Sequence, residues 1–461
     1  MKAPALALPV TFVCLLATAC SFAGPPYNDS SPTATTVRVP MAGTALDLAT
    51  ALRLAGARNL DVEFARQQLI EAEGDYASEH LKYFPTLAPG IGYRRHDGNT
   101  QATEGDIVDV SKQSYSPGLA IAAELNLGEA IYQNLAAKQL TQARALGVEH
   151  QRAESMLEAG LAYYDLAFAN ALEHASGEAV RLSEEQERQL NAAVEAGIAL
   201  KGDVLRITVQ KERNKLIVRQ AGELAAIASA RLAKALHLDP TVTLRTTDRS
   251  LSPLSLVDVS PGNASSFVAR AIAAHPATGE AAALTAAAGK SRDAAMYGPL
   301  VPTLTAQAFQ GGLGGGRGGD TGNFGSQTDV IIGLSWRIGA GGLFDEGRKK
   351  SAEAKLAQSH ISEEKVKEDL ARIVAEAHAS ALSARDRLAT SRTVLSSAEE
   401  VVKLSQERKE FGVGVVLEMI QSGNELTQSR QDYLRAIADS NKAQFALALF
   451  TGRLGQGKES K

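Results

Sequence analysis

Proline is missing from the two longest stretches of this chain. Pro117 is followed by none until Pro240, and none follows Pro302. Proline costs roughly 3 kcal/mol in a helix interior, so its exclusion predicts helix over both stretches. Cysteine is nearly absent, with Cys14 and Cys20 as the whole supply. Beyond the first twenty residues no apolar run reaches the ~18 residues that a membrane-crossing helix needs. The 8 His are scattered with no pair at metal-ligand spacing, and there is no Gly-x-Ser-x-Gly elbow. A net charge of −4 without a basic cluster argues against nucleic acid. No catalytic, cofactor or metal constellation emerges, so the chain reads as a non-enzyme.

What is present is a long alanine-rich, charged stretch from Gly128 to Asp239, matched by a second from Gly342 to Gly455. Each contains a short break, Ala196-Gly197-Ile198 in the first and Phe411-Gly412-Val413 in the second. Leu157, Leu161, Tyr164, Phe168 and Leu172 form an apolar seam near heptad spacing. A helix of about 65 residues would be on the order of 100 Å long at 1.5 Å per residue. Rods of that length have no globular core to lie on, so they are expected to pack side by side as coiled coils.

The N-terminus pairs Lys2 with an apolar run and then Leu16-Ala17-Thr18-Ala19-Cys20, the pattern of a secretory signal over 1–19. Cys20 stands where a bacterial lipobox places its lipidated cysteine, although Ala17 occupies a position where Leu is usual and an ordinary signal with an incidental cysteine is the other reading. In bacterial lipoproteins Ser21 after that cysteine implies outer-membrane sorting. Cleavage would remove Cys14, leaving a single cysteine and no internal disulfide. A Pro/Ser/Thr-rich linker over 20–43 would tether the body. Thr44 to Tyr83 is expected to be helical, ended by Phe84-Pro85.

The period then changes. Leu119, Ile121, Ala123 and Leu125 alternate with Ala120, Ala122, Glu124 and Asn126, and Val330, Ile332, Leu334, Trp336 and Ile338 alternate with Ile331, Gly333, Ser335 and Arg337. Such alternation predicts strands between two different environments. Partner strands are expected around Gly90 to Arg94 and from Pro302, with loops at His96 to Ser114 and Gly311 to Gln327. The run Gly314 to Gly319 is dense in backbone donors, but a strand rather than a helix follows it, which favours a hairpin loop over a phosphate loop. Four strands with one oily face suit a transmembrane β-barrel that must close with other copies of the chain.

The order of helix, Pro-Thr-Leu strand, hairpin, long helix, glycine break and helix, given twice, resembles the TolC-like family of bacterial outer-membrane efflux channels. Gly197, Asp203-Val204-Leu205 and Gln210 align with Gly412, Glu418-Met419-Ile420 and Glu425 at a constant offset of 215. Pro85-Thr86-Leu87 aligns with Pro302-Thr303-Leu304 at 217. Cys20 followed by Gly24-Pro25-Pro26-Tyr27 resembles the lipoprotein branch serving RND-type pumps. The implied organisation is a first repeat over 44–240, an inter-repeat linker over 241–264, a second repeat over 265–455 and a polar tail over 456–461.

That resemblance implies a mainly α fold with a membrane β-barrel, closed as twelve strands in a homotrimer and continued by a coiled-coil α-helical tunnel in the periplasm. It implies passive exit of small-molecule cargo across the outer membrane, driven by an inner-membrane efflux transporter through a periplasmic adaptor protein. Gly197, Ile198, Gly412 and Val413 would be adaptor-contacting tips. Asp203 and Glu418 fall where the family places an acidic periplasmic gate, although a carboxylate in a first helical turn also favours the helix dipole. Val415, Val416 and Leu417 would form an apolar constriction or pack between helices. Glu124, Asn126, Ser335 and Arg337 would face the barrel lumen, and Trp336 either an aromatic girdle or a packed contact. Two other readings compete: the same fold in a type I-like secretion system, and a periplasmic coiled-coil scaffold without a pore.

Overall fold

The computed structural model describes residues 45–57, 59–247, 250–318, 322–410 and 416–452. Strand β1 (Ala45–Leu46) leads into helices α1 (Leu48–Ala57) and α2 (Leu60–Leu81), and strands β2 (Thr86–Gln101) and β3 (Ile107–Leu125) form a hairpin. Helices α3 (Leu127–Glu195) and α4 (Lys201–Ala235) follow, then β4 (Arg245–Thr246), α5 (Ala264–Ala274) and α6 (Pro276–Tyr297). A second hairpin, β5 (Thr303–Arg317) and β6 (Phe324–Ser335), precedes α7 (Glu346–Glu410) and α8 (Val416–Phe450).

The helices without proline form as expected. Their packing differs from the expected seam. Of its five residues, Tyr164 and Leu172 are buried, whereas α3 also buries Ala159, Gly160, Ala162, Leu166, Ala167 and Ala169 around most of its girth. Small residues let backbones approach closely, and α3 touches α2, α4, α6 and α8. A Cβ at Gly160 would overlap the ring of Phe445 on α8. That is why glycine stands in the middle of a helix at a cost of about 1 kcal/mol in propensity.

The helix expected over Thr44 to Tyr83 is divided. Asn59, buried between α1 and α2, accepts from Asp61 N at 2.8 Å and donates through Nδ2 to Ala235 O at 3.3 Å. One amide thus caps α2 and ties it to the end of α4.

The inter-repeat segment expected as a linker is packed. Leu244, Val257 and Val259 are buried, and β4 pairs with β1 in parallel. Asn441 and Gln444 of α8 accept from Leu254 N at 2.8 Å and Val257 N at 2.9 Å. Side-chain amides thus satisfy backbone that no ladder pairs, and Val257 and Val259 join Phe267, Leu370, Val374 and Leu447 in one core.

The four long strands form an antiparallel sheet in the order β2-β3-β5-β6, leaving β2 and β6 as edges. The loops expected at His96 to Ser114 and Gly311 to Gln327 are mostly strand. β2 and β3 stay paired from Thr86↔Ala122 to Gln101↔Ile107, and β5 remains a strand through Arg317. Ladder bonds run through the backbone and need no apolar side chains, so a polar hairpin extends the sheet without leaving a hydrophobic signature. None of the helices among the described residues is long and apolar enough to cross a membrane.

Candidate functional site

Directly paired residues share a sheet face, so the register sorts side chains. Leu125↔Leu304↔Leu334, Ala123↔Ala306↔Ile332 and Ile121↔Ala308↔Val330 form apolar rows on one face. Ile332 is 72% exposed. Oily residues held in the open across three strands need a covering other than water. The other face carries Glu124↔Thr305↔Gly333, Ala122↔Gln307↔Ile331 and Thr303↔Ser335. A cleft lined by Glu124, Thr305 and Gln307, with Ser78 and Glu79 of α2, opens on that face.

Glu124 and Ser335 therefore lie together on the face opposite the apolar rows. Asn126 and Arg337 lie beyond the strand ends, and Asn126 still lines the same cleft as Glu124. β3 ends at Leu125 and β6 at Ser335, because the chain turns into helical connections there. Asn126 stands at the start of α3 and donates through Nδ2 to Glu129 Oε2 at 3.1 Å. Trp336 also lies past the strand, and its Nε1 donates to Leu300 O at 3.4 Å.

Glu129 is the residue that the alternating pattern missed. Arg348 in the first turn of α7 donates to its Oε1 at 2.7 Å, and Asp345 accepts from Arg348 N at 2.9 Å and Gly341 N at 2.8 Å. These backbone bonds hold the Asp345 carboxyl below its ordinary value. The two strand-to-helix junctions, 219 residues apart in sequence, are thereby locked to each other. Only an acid in one first turn and a basic residue in another hinted at it.

At the far end of the coiled coils, Gly197 adopts φ +76 and closes α3. Ile198 N donates to Ala193 O at 2.9 Å and Gly197 N to Val194 O at 3.0 Å, the paired bonds of a Schellman motif. That left-handed position favours glycine and leaves Ile198 81% exposed. Asp203 lies in the first turn of α4, where Arg206 Nη1 donates to it at 3.4 Å. Glu418 lies in the first turn of α8 and accepts from Arg408 Nη1 at 2.7 Å. Both carboxylates thus combine the dipole position with a cation.

Val416 packs against Leu190, Ile207 and Ile420, a cluster joining α3, α4 and α8. Leu417 beside it is exposed. Higher on the first coiled coil, Lys211 Nζ donates to Glu187 Oε2 at 2.6 Å. That bond, with one from Thr208, holds the Glu187 carboxyl below the usual range. Cys20, Gly412, Val413 and Val415, with 1–43 and 456–461, lie outside the described residues.

A sheet with one exposed apolar face is continued by paired helices of 69 and 35 residues and of 65 and 35 residues, a fold that solved outer-membrane channels share. Residues 267–453 match the family model described as outer membrane efflux protein. The outer-membrane channel OprN is similar with a TM-score of 0.72 at 20% identity, over 88% of this chain and 89% of that one. The CmeC outer membrane channel of Campylobacter jejuni is similar with a TM-score of 0.73 at 14% identity, over 88% and 85%. Protein CyaE of Bordetella pertussis is 27% identical over 303 residues, which is 64% of this chain and 61% of that relative.

Proposed function

We propose that this chain is the outer-membrane channel of a tripartite efflux pump, giving passive exit to small-molecule cargo. The observation that carries the reading is the sheet itself, apolar and exposed on one face, polar on the other, and open at β2 and β6. Lipid cannot satisfy free strand edges, so the sheet closes by pairing β6 of one copy with β2 of the next. Three copies would make a twelve-stranded barrel with Glu124 and Ser335 in its lumen, continuous with a periplasmic helical tunnel. Two similar halves, related by the sequence offset, supply the helices of that tunnel.

In this reading the tips at Gly197 and Ile198, with Gly412 and Val413, contact a periplasmic adaptor, which couples the channel to an inner-membrane transporter. Asp203 and Glu418 form the periplasmic gate, and like charges from several copies gathered on an axis attract cations. Val415, Val416 and Leu417 support the constriction, with Val416 acting through the cluster that joins the two coiled coils. Cys20 anchors the chain by lipid. The test is native mass followed by single-channel recording of the purified protein. A trimer that opens stable, small, cation-preferring pores supports the proposal, and a folded trimer that opens none sinks it in favour of a scaffold.

A further inference from the structure

The polar sheet face changes character toward its hairpin end. His96 of β2, Lys112 of β3 and Arg317 of β5 pair directly across three strands, and Arg94 sits two residues along on the same face. Lys112 and Arg317, directly opposite each other, repel one another. No carboxylate among the described residues pairs with Arg94, Lys112 or Arg317, and the buried His96 Nε2 has no hydrogen-bond partner. On the opposite face at the same level Arg95 is neutralised. Its Nε donates to Asp97 Oδ2 at 2.7 Å, and Asp97 also accepts from Ser111 at 2.6 Å. Among the described strand residues, the cationic face carries carboxylates only at Glu124 and Asp329. Asp329 lies eight rows away along the register, about 26 Å at 3.3 Å per residue.

The glycine run supplies the remaining wall. Gly314, Gly315 and Gly316 line the same concavity as Arg94, His96, Lys112 and Arg317, a space of about 630 Å³. A Cβ at Gly314 would overlap the Tyr115 ring, and Gly315 has φ +129, so glycine is required at both. Gly315, which shares the cationic face through its pairing with Ser114, therefore leaves no side chain in the space beneath the cations.

We propose that this concavity is a binding site for phosphate- or carboxylate-bearing anions that enter from water. The inference rests on the channel reading for its location. There, this face lines the lumen and the hairpin end opens outside the cell, so anionic cargo meets a basic mouth after an acidic entrance. Charge-assisted bonds from Arg and Lys to such groups are strong and geometrically specific.

Pyrophosphate is the probe. Calorimetry on the full-length protein in detergent is expected to show binding that weakens at least about tenfold in the Arg94→Gln/Lys112→Gln/Arg317→Gln variant, which loses three charge-assisted donors. In bilayers, pyrophosphate is expected to reduce wild-type current and leave the variant's current unchanged. Open pores that ignore pyrophosphate, with no calorimetric signal, overturn the site while leaving the channel in place. Binding without any pore keeps the site and removes the channel reading. Binding of lipid A phosphates in mixed micelles, with none of pyrophosphate, overturns the proposal by moving the anion to the lipid.

Discussion

Arg408 Nη1 and Glu418 Oε1 meet at 2.7 Å, joining the last turns of α7 to the first turn of α8. The two side chains are 55% and 39% exposed, and exposed pairs contribute about 0–1 kcal/mol. The bond holds the local position of a carboxylate more than it holds the fold. Glu418→Gln is therefore expected to leave the melting temperature nearly unchanged while altering conductance or cation preference. Unchanged conductance would move the gate away from this residue.

Asp203 makes the weaker contact, 3.4 Å to Arg206 on its own helix. Asp203→Asn is expected to change pore selectivity less than Glu418→Gln, measured as a reversal potential in a salt gradient. A larger effect from Asp203 would reverse the ranking of the two carboxylates.

The ring of Phe445 occupies the space a side chain would need at Gly160. Gly160→Ala gains about 1 kcal/mol of helix propensity but overpacks the contact at ~1–3 kcal/mol. Net destabilisation is expected in thermal unfolding. Phe445→Leu in the same chain should recover part of it, because contacting residues couple.

Near the tip, positions related by the offset of 215 are built differently. Leu190 and Ile207 are buried in an apolar cluster, whereas Ser405 and Ser422 are buried and hydrogen-bonded at 3.2 Å. Ile207→Ala is expected to cost about 2–5 kcal/mol. Ser422→Ala is expected to cost nearer ~1 kcal/mol. Denaturant midpoints of the two variants measure the difference, and equal losses would contradict it.

His150 and His275 stack edge to face at 5.7 Å and titrate in opposite senses. The hydrogen bond to Glu280 raises His150, so its contribution is complete below the ordinary histidine value and is lost as pH climbs through the raised one. Burial, reinforced by the His150 charge, lowers His275 to about 4. Its Nδ1 accepts from Ala277 N at 3.3 Å at the start of α6, which requires the neutral ring. Stability from His275 is therefore present above pH ~6.5 and lost as pH falls toward ~4. His275→Asn keeps a capping acceptor and is expected to flatten the acid side of the melting-temperature profile between those limits.

The amino-acid sequence by itself determined the elements whose signal is local. Proline exclusion marked both coiled coils, alternation marked the apolar sheet face with Glu124 and Ser335 opposite it, and Gly197 marked a turn that needs positive φ. What lay across long separations was decided by the tertiary structure. Asn126 and Arg337 continued an alternating pattern past the point where the strands end, since periodicity carries no information about where ladder partners run out. The polar hairpins were legible as loops because their ladder bonds leave no side-chain trace. The segment between the halves became core only because Asn441 and Gln444 reach its backbone. Glu129 and Arg348, His150 and His275, and the row of His96, Lys112 and Arg317 each depend on helices or strands distant in the chain coming side by side. Their chemistry arises from packing and register, which single-chain periodicity does not encode.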